Sequence, residues 1–279
     1  MKIARTLAEL EAACADLRAD GRRLALVPTM GALHAGHRAL VSAAVASGMA
    51  TSASIFVNPL QFNASADLAR YPRDEEGDLA QLRAVGCDLV WMPDVSVMYP
   101  AASVTLVDVA GPPARLWEDD YRPGHFRGMA TVVTKLFAQV RPDAAYFGEK
   151  DWQQLQVVKR FVADLHMGLE IVGVETVREP DGLALSSRNR FLTQAERAIA
   201  PTLHQAMTTA AHAMGAGTPS VSALQTARDT VLAAGFSSVD YLALVDGPSI
   251  TPIDTPTDNC RIIAAAHLGS VRLIDNIAG

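Results

Sequence analysis

The sequence has few cysteines, no long apolar run and no excess of basic residues. Its three cysteines, Cys14, Cys87 and Cys260, are too few and too widely spaced for a disulfide framework or a zinc knuckle. Acidic residues interrupt the first twenty positions, and no apolar stretch approaches the ~20 residues of a membrane span, which excludes a signal peptide and a transmembrane helix. The net charge of −6 argues against a nucleic-acid-binding protein. These features predict a cytoplasmic protein that binds neither nucleic acid nor a membrane.

The two commonest nucleotide-binding motifs, the Walker A loop and the Gly-rich dinucleotide fingerprint, are also missing. A different anion site is indicated by Pro28-Thr-Met-Gly-Ala-Leu-His-Ala-Gly-His37, which follows the apolar run Leu24–Val27 and opens a helix predicted from Gly36 to Ser47. Amide groups at a helix start lack intrahelical partners and attract phosphate. His34 and His37 are three residues apart and share one face of that helix start. They could instead be helix caps without a ligand, but a pair flanking a glycine favours phosphate binding.

Apolar runs alternate with helical patterns through the first 176 residues. Strands are predicted at 24–27, 50–57, 88–92, 104–109, 144–147 and 169–174, with helices at 6–20, 36–47 and 74–85 and after residues 128 and 151. This alternation predicts an α/β fold whose parallel sheet is covered by helices on both faces. Polar clusters follow several strands, where ligands bind in open α/β sheets.

The remaining residues, 177–279, have a different pattern. Thr193 and Glu196 form a capping box before a helix that is predicted to reach Met214, and a second helix ends near Ala234. Three short apolar runs follow at 239–245, 261–266 and 271–274. We therefore predict a smaller α+β domain with a short antiparallel sheet over 177–279, following a first domain over 1–176.

Two further segments carry groups suited to phosphate. Gly148–Asp151 ends a predicted strand, and its Lys150 is a compact positive charge. Asp151 either caps the next helix or binds a ligand, and helical spacing places Gln154 beside Lys150. The loop Leu185–Arg188 offers two hydroxyl groups and a guanidinium as a clamp for a polyphosphate, or is simply a solvated loop.

Other polar residues are more ambiguous. Asn58 and Gln61 stand among bulky apolar groups and fit either a small hydroxylated ligand or a self-satisfied turn. The segment 122–128 contains His125 between two arginines and is predicted to be a basic flap or an ordinary surface loop. Four other histidines have no predicted partner and are assigned no role; they are His166, His204, His212 and His267.

Six ordered motifs together closely resemble the pantoate–β-alanine ligase family. They are PTMGALHAGH, FVNPLQF, YPR, RPGHFRG, FGEKDWQQL and DGLALSSRNRFL. The resemblance runs nearly end to end, to RLIDN at Asn276. The HxGH element alone would indicate only the wider nucleotidyltransferase superfamily. The resemblance implies a Rossmann-like first domain that binds ATP and pantoate, and a C-terminal domain that acts as a lid.

The family resemblance also implies a reaction and a set of site residues. ATP activates (R)-pantoate as pantoyl adenylate with release of pyrophosphate, and β-alanine then displaces AMP to give pantothenate. The resemblance implies that His37 is the catalytic acid and that Gln61 and Gln154 bind pantoate, with Gln61 also near the β-alanine site. From their chemistry we add His34, Lys150 and Arg188 as catalytic residues and Asn58 as a substrate-binding residue. ATP is implied to contact Met30, Gly31, Ala32, Leu33, His34, Ala35, Gly36, His37, Gly148, Glu149, Lys150, Asp151, Val177, Leu185, Ser186, Ser187 and Arg188. We add Pro28 and Thr29, which begin the same motif. Mg²⁺ and a homodimer are implied as well.

Two other functions remain open from the sequence. A nucleotidyltransferase that adenylylates a phosphate-bearing substrate would share HxGH, and a non-catalytic nucleotide-binding protein would share the anion site. Neither accounts for Gln61, Gln154 and the Ser186–Ser187 pair together.

Overall fold

The computed structural model describes residues 1–61, 68 and 71–279, which contain two separate β-sheets. The first sheet has six strands in the order β1-β4-β3-β2-β5-β6, and every neighbouring pair is parallel. These strands are β1 (Lys2–Ala4), β2 (Leu24–Thr29), β3 (Ala50–Ile55), β4 (Leu89–Trp91), β5 (Ala144–Gly148) and β6 (Glu170–Val174). The predicted parallel sheet is therefore confirmed.

Helices cover both faces of this sheet. They are α1 (Leu7–Arg18), α2 (Ala35–Ala46), α3 (Glu75–Ala84), the short α4 (Val95–Met98) and α5 (Glu118–Tyr121), α6 (His125–Val140) and α7 (Trp152–Asp164). Alternate residues of β2 face opposite ways: Leu24 and Leu26 pack with α1, α6 and α7, whereas Ala25 and Val27 pack with α2 and α3. Because both faces of β2 are buried, its sequence is continuously apolar rather than alternating.

The second sheet contains β7 (Ser238–Asp246), β8 (Cys260–Leu268) and β9 (Val271–Ala278), paired antiparallel in chain order. The helices α9 (Thr202–Gly215) and α10 (Ser220–Ala233) share a core with it. The helix predicted from Thr193 to Met214 is two helices, because α8 (Gln194–Ile199) ends before Pro201, which has no N–H to continue the ladder. The capping box between Thr193 and Glu196 is confirmed.

Two strand predictions were wrong. Residues 104–109 form no strand: Val104 is 89% exposed and Leu106 is 51% exposed, and the segment touches the fold through Val107, whose N–H donates to Thr131 Oγ1 at 2.9 Å. Conversely, no strand was predicted before residue 24, yet Ile3 lies in β1 and pairs with Val90. A strand of three residues is too short to show an alternating pattern. Phe62, at the end of the FVNPLQF motif, lies outside the described residues.

None of the helices within 1–61, 68 and 71–279 is long and apolar enough to cross a membrane. All three cysteines are buried as free thiols.

Candidate active site

The strand order creates a crevice at the carboxyl ends of β2 and β5. These strands are neighbours, with Ala25 and Leu26 paired to Ala144 and Ala145. The chain leaves β2 towards α2 on one face of the sheet and leaves β5 towards α7 on the other. Such a switch point is where α/β sheets bind ligands. A cavity of about 220 Å³ opens there, and all three phosphate-suited segments line it.

The HxGH turn forms the start of α2. The His34 Nδ1 atom accepts a hydrogen bond from the Gly36 N–H at 3.1 Å, and the His37 Nδ1 atom accepts one from the His34 N–H at 3.3 Å. The two ring centroids are 4.1 Å apart. A Cβ on Gly36 would lie 2.8 Å from His34 Cε1, so this close turn requires glycine. Because Nδ1 is the acceptor in both rings, the single N–H proton of each neutral imidazole is assigned to Nε2.

Both imidazoles are held neutral at pH 7. Burial, followed by the positive charge of Lys150, lowers the pKa of His34 to about 4. Burial, followed by the neighbouring His34, lowers the pKa of His37 to about 3. The rings therefore offer uncharged N–H donors to an anion in the cavity, rather than imidazolium groups. This favours hydrogen-bond stabilisation of growing phosphate charge over proton donation by the free protein.

The depressed pKa of His37 predicts a pH-dependent stability. As the pH falls below 6.5, the unfolded chain binds a proton that the folded ring rejects until about pH 3, so stability is lost across this window. The contribution of His37 to the free energy of unfolding should fall by about 2 kcal/mol between pH 7 and pH 5. Urea unfolding of the wild type and of His37→Gln at both pH values measures this. An identical pH dependence in the two proteins would contradict the depressed pKa.

Asp78 shapes the turn that precedes His34, and sequence reasoning missed it. Its Oδ2 accepts from the Ala32 N–H at 2.8 Å and its Oδ1 accepts from the Leu33 N–H at 2.7 Å. Gly31 and Ala32 have φ angles of +79° and +51°, so two residues in a row are left-handed. Asp78 is only 3% exposed. An acidic residue in the first turn of a helix is common, because it interacts favourably with the helix dipole. The sequence therefore contains no sign that Asp78 binds the turn before His34.

The segment after β5 presents Lys150 and Gln154 to the cavity. The Lys150 side chain is 16% exposed, and its Nζ lies 3.9 Å from Asp151 Oδ1. Asp151 lines the cavity and makes no side-chain cap bond to α7, so the capping interpretation of this residue was wrong. Gln153 turns away, because its Nε2 donates to Pro113 O at 2.8 Å and to Leu116 O at 2.6 Å. Gln154 lines the cavity, as helical spacing predicts.

Asn58 and Gln61 have different positions. Gln61 lines the cavity. Asn58 is fully buried behind it, with its Nδ2 donating to Gln61 Oε1 at 2.8 Å and to Gly128 O at 3.1 Å. The Asn58 Oδ1 accepts from the Tyr99 hydroxyl at 2.8 Å. Both amide hydrogens of Asn58 are thus used inside the fold, so the structure places this residue as a support for Gln61 and away from direct contact with a ligand.

The loop Leu185–Arg188 lies across the same cavity. Its base is a narrow turn in which the Leu185 N–H donates to Val177 O at 3.0 Å. Ser186 begins the 3₁₀ helix Ser187–Phe191, with its Oγ accepting from the Arg188 N–H at 3.2 Å. Val177, Ser186, Ser187 and Arg188 all line the cavity, which places the predicted clamp opposite the HxGH turn.

Residues 122–128 are not the surface loop or flexible flap that the sequence suggested. His125 begins α6 and is 8% exposed, with its Nδ1 3.3 Å from Gln61 O. Burial, followed by the charge of Arg122, lowers the pKa of His125 to about 4. Arg122 and His125 both line the cavity. The segment is part of the wall because α6 begins at His125, four residues before the predicted start at 129.

Two of the histidines without a predicted partner lie near carboxylates. His204 Nδ1 lies 3.6 Å from Asp275 Oδ2, and His267 Nε2 lies 3.4 Å from Asp240 Oδ2. Both pairs join elements that are distant in sequence, so no local pattern could reveal them.

The fold and the cavity define a class of protein. Neutral histidine donors, a helix start, a lysine and a hydroxyl–guanidinium loop converge on a switch point of a parallel sheet, which is the arrangement of a nucleotide-binding α/β enzyme of the HxGH type.

Comparison with known proteins gives the family. The pantoate-beta-alanine ligase family model matches residues 2–278. The chain is 54% identical to the pantothenate synthetase of Acidiphilium cryptum, over all of both chains, and 54% identical to that of Granulibacter bethesdensis, over 99% of this chain and 96% of the relative. The crystal structure of the pantothenate synthetase from Thermus thermophilus superposes with a TM-score of 0.94 at 46% identity, covering 100% of this chain and 99% of that one.

A pantoate-beta-alanine ligase from Francisella tularensis, solved in complex with beta-gamma ATP and beta-alanine, is 32% identical with a TM-score of 0.84, covering 100% of this chain and 97% of the other. The chain belongs to the pantoate–β-alanine ligase family. It is a ligase, and its reaction is the formation of pantothenate.

Proposed function

We propose that the chain condenses (R)-pantoate with β-alanine at the expense of ATP, through a pantoyl-adenylate intermediate. The observation that supports this most directly is the shared cavity, in which HxGH, Lys150 and Arg188 face the same space as Gln61 and Gln154. A nucleotide and a small acid can therefore meet in one cavity.

In the first step, a carboxylate oxygen of pantoate attacks the α-phosphorus of ATP, and the bond to the leaving pyrophosphate breaks. We assign Lys150, Arg188 and the Ser186–Ser187 hydroxyls to the polyphosphate, because they carry the positive charge and the hydroxyl donors of the cavity wall. His34 and His37 donate neutral N–H groups to the same oxygens. Alignment can supply ~7–11 kcal/mol of barrier reduction at best, and each well-placed donor about 2.7–4 kcal/mol.

In the second step, the β-alanine amine attacks the acyl carbon, the bond to AMP breaks, and the amine loses a proton. We assign Gln61 and Gln154 to the hydroxyl and carboxyl groups of pantoate, with Asn58 fixing the Gln61 side chain. The adjoining wall is apolar and suits the two methyl groups of pantoate; it includes Met30, Phe56, Met129, Val132 and Val133. We further propose that residues 177–279 act as the lid over 1–176 and protect the acyl adenylate from water.

We propose that Mg²⁺ reaches the site bound to ATP. Across 1–61, 68 and 71–279, no three His, Cys, Asp or Glu side chains form a group that could hold a metal ion. The cavity wall therefore suits an ion that is held mainly by substrate phosphates, with Asp151 as the nearby carboxylate. When bound, the ion would neutralise polyphosphate charge.

We also propose a cytoplasmic homodimer. Three buried free thiols suit a reducing compartment. The exposed apolar side chains of Val104 and Leu106 are candidates for the dimer surface. Analytical ultracentrifugation should give twice the mass of the chain, and Leu106→Glu should shift the protein towards a monomer. A wild-type protein that sediments as a monomer at micromolar concentration would rule out the dimer.

The decisive experiment is pantoate-dependent exchange of labelled pyrophosphate into ATP in the absence of β-alanine. Exchange is expected, because adenylate formation is reversible before the amine arrives. Pantothenate formation without exchange would refute the adenylate route. Exchange that depends on a phosphate-bearing acceptor instead of pantoate would favour another nucleotidyltransferase, and nucleotide binding without either activity would favour a non-catalytic protein.

A further inference from the structure

Two adjacent buried residues of β9, Asp275 and Asn276, each hold a different segment of the cavity wall. Asp275 is 6% exposed and Asn276 is 3% exposed. We propose that this pair is a positioning element, which fixes Lys150 and the Leu185–Arg188 loop relative to each other. The inference rests on the proposed roles of Lys150 and Arg188 and extends them to residues outside the lining of the HxGH cavity.

Asn276 holds the segment that carries Lys150. Its Nδ2 donates to Glu149 O at 2.8 Å and to Lys150 O at 3.0 Å, so both amide hydrogens are used on consecutive carbonyls. Its Oδ1 accepts from Arg261 NH1 at 2.7 Å. The same guanidinium donates through NH2 to Glu149 Oε2 at 2.9 Å and stacks 3.6 Å from the Trp152 ring. The backbone of Lys150 is therefore held by a side chain 126 residues away.

Asp275 holds the base of the Leu185–Arg188 loop through Arg178. The Arg178 guanidinium donates to both carboxylate oxygens, at 2.7 and 2.8 Å. Arg178 NH1 also donates to Gly182 O at 3.0 Å, inside the turn that leads to Leu185. Asp275 Oδ1 additionally accepts the Asn276 N–H at 2.7 Å, which couples the two positions. A bidentate pair of this kind fixes orientation as well as distance.

The proposed reaction needs this coupling. Lys150 follows β5 and Arg188 lies well beyond β6, so the pairing of these neighbouring strands joins the starts of the two segments but does not reach Arg188 itself. Adjacent residues of one strand are only ~3.3–3.4 Å apart, which makes β9 a short, rigid reference for both. A displacement of about 1 Å at a reacting group costs on the order of 100-fold in rate.

The variant Asn276→Asp tests the Lys150 arm. It keeps the size of the side chain and the acceptor for Arg261, but it removes the Nδ2 donor and places an oxygen against two carbonyl oxygens. We expect kcat/KM for ATP in the exchange assay to fall about 10- to 100-fold, with the KM for pantoate changed less than about 3-fold. In a Lys150→Ala background the same substitution should cost less than about 3-fold, because residues that act through one group are not additive.

Arg178→Lys tests the other arm and provides a second route should Asn276→Asp fail to fold. It retains the charge but loses the bidentate contact. The loss of exchange activity that it causes should be smaller in an Arg188→Ala background and unchanged in a Lys150→Ala background. The matched control is Arg228→Ala, which breaks the Arg228 NH2 contact to Val239 O (2.7 Å) within the same C-terminal region, away from the cavity lining. It should leave exchange unchanged.

The positioning role is supported if the loss of exchange activity in Asn276→Asp shrinks in the Lys150→Ala background and the loss in Arg178→Lys shrinks in the Arg188→Ala background. Wild-type rates in folded Asn276→Asp and Arg178→Lys, or equal losses in every background, would overturn it and leave the proposed reaction intact. Absence of exchange in the wild-type protein would instead refute the proposed function, and the positioning role with it.

Discussion

Replacing Lys150 with alanine should lower kcat about 100-fold or more, with a smaller effect on the KM for pantoate. The ammonium group faces the cavity with 16% of its side chain exposed, opposite the HxGH turn. In the proposed first step, negative charge grows on the leaving pyrophosphate, and one preorganised donor is typically worth about 2.7–4 kcal/mol at such a centre. Steady-state pantothenate formation with each substrate varied in turn measures the effect.

Lys159→Ala is the matched control for this experiment. Lys159 belongs to α7, the helix that follows the Lys150 segment, and its side chain is exposed. Its loss changes the net charge by the same amount without touching the cavity lining, so the rate should remain within about 2-fold of the wild type. A Lys150→Ala protein that retained a near-normal rate would remove Lys150 from the proposed mechanism.

Replacing Asp78 with alanine should lower the free energy of unfolding by about 3 kcal/mol and abolish most activity. Its carboxylate is the hydrogen-bond acceptor for the N–H groups of Ala32 and Leu33, and each buried donor left unpaired costs about 1–3 kcal/mol. The left-handed turn at Gly31 and Ala32 would relax, and the His34 ring that follows it would move. Urea unfolding and the exchange assay together measure both losses.

Asp74→Ala is the matched control on the same helix. Asp74 is exposed and caps α3, with its Oδ1 accepting from the Gly77 N–H at 3.0 Å. Its removal should cost about 1 kcal/mol of stability, as for an ordinary N-cap, and should leave exchange unchanged. Equal effects of Asp74→Ala and Asp78→Ala would show that Asp78 acts only through the helix.

Local patterns predicted the elements of this fold well. The capping box predicted at Thr193–Glu196 is present, and α1 begins with another at Thr6–Glu9. The apolar strands and amphipathic helices were recognisable because each is determined by residues within a few positions of one another. The same reasoning located two of the segments that line the cavity, since polar residues that follow buried parallel strands must meet at one edge of the sheet. The Leu185–Arg188 loop was identified instead from its hydroxyl and guanidinium groups.

Contacts between distant residues could not be predicted in this way. Asp78 and Ala32 are 46 residues apart, and Asn276 and Glu149 are 127 residues apart. The unpaired segment at 104–109 illustrates the opposite error: its β-branched residues favour a strand, but no neighbouring strand reaches it.

The histidines show that two interpretations of a motif need not compete. His34 and His37 were weighed as helix caps or as phosphate ligands. In the structure, the Nδ1 atoms serve the turn, which leaves the Nε2 proton of each ring as the donor for a ligand. One ring does both tasks because its two nitrogens point in different directions.

The contact between Asn276 and Lys150 has a consequence for biosynthesis. Residue 276 is made 126 residues after residue 150, which at ~5–20 residues per second corresponds to a delay of roughly 6–25 s on the ribosome. During that interval the parallel sheet can already fold, but the backbone of Lys150 still lacks its contact to Asn276. The nascent chain should therefore bind nucleotide before it can activate an acid, and catalysis should begin only after β9 has paired.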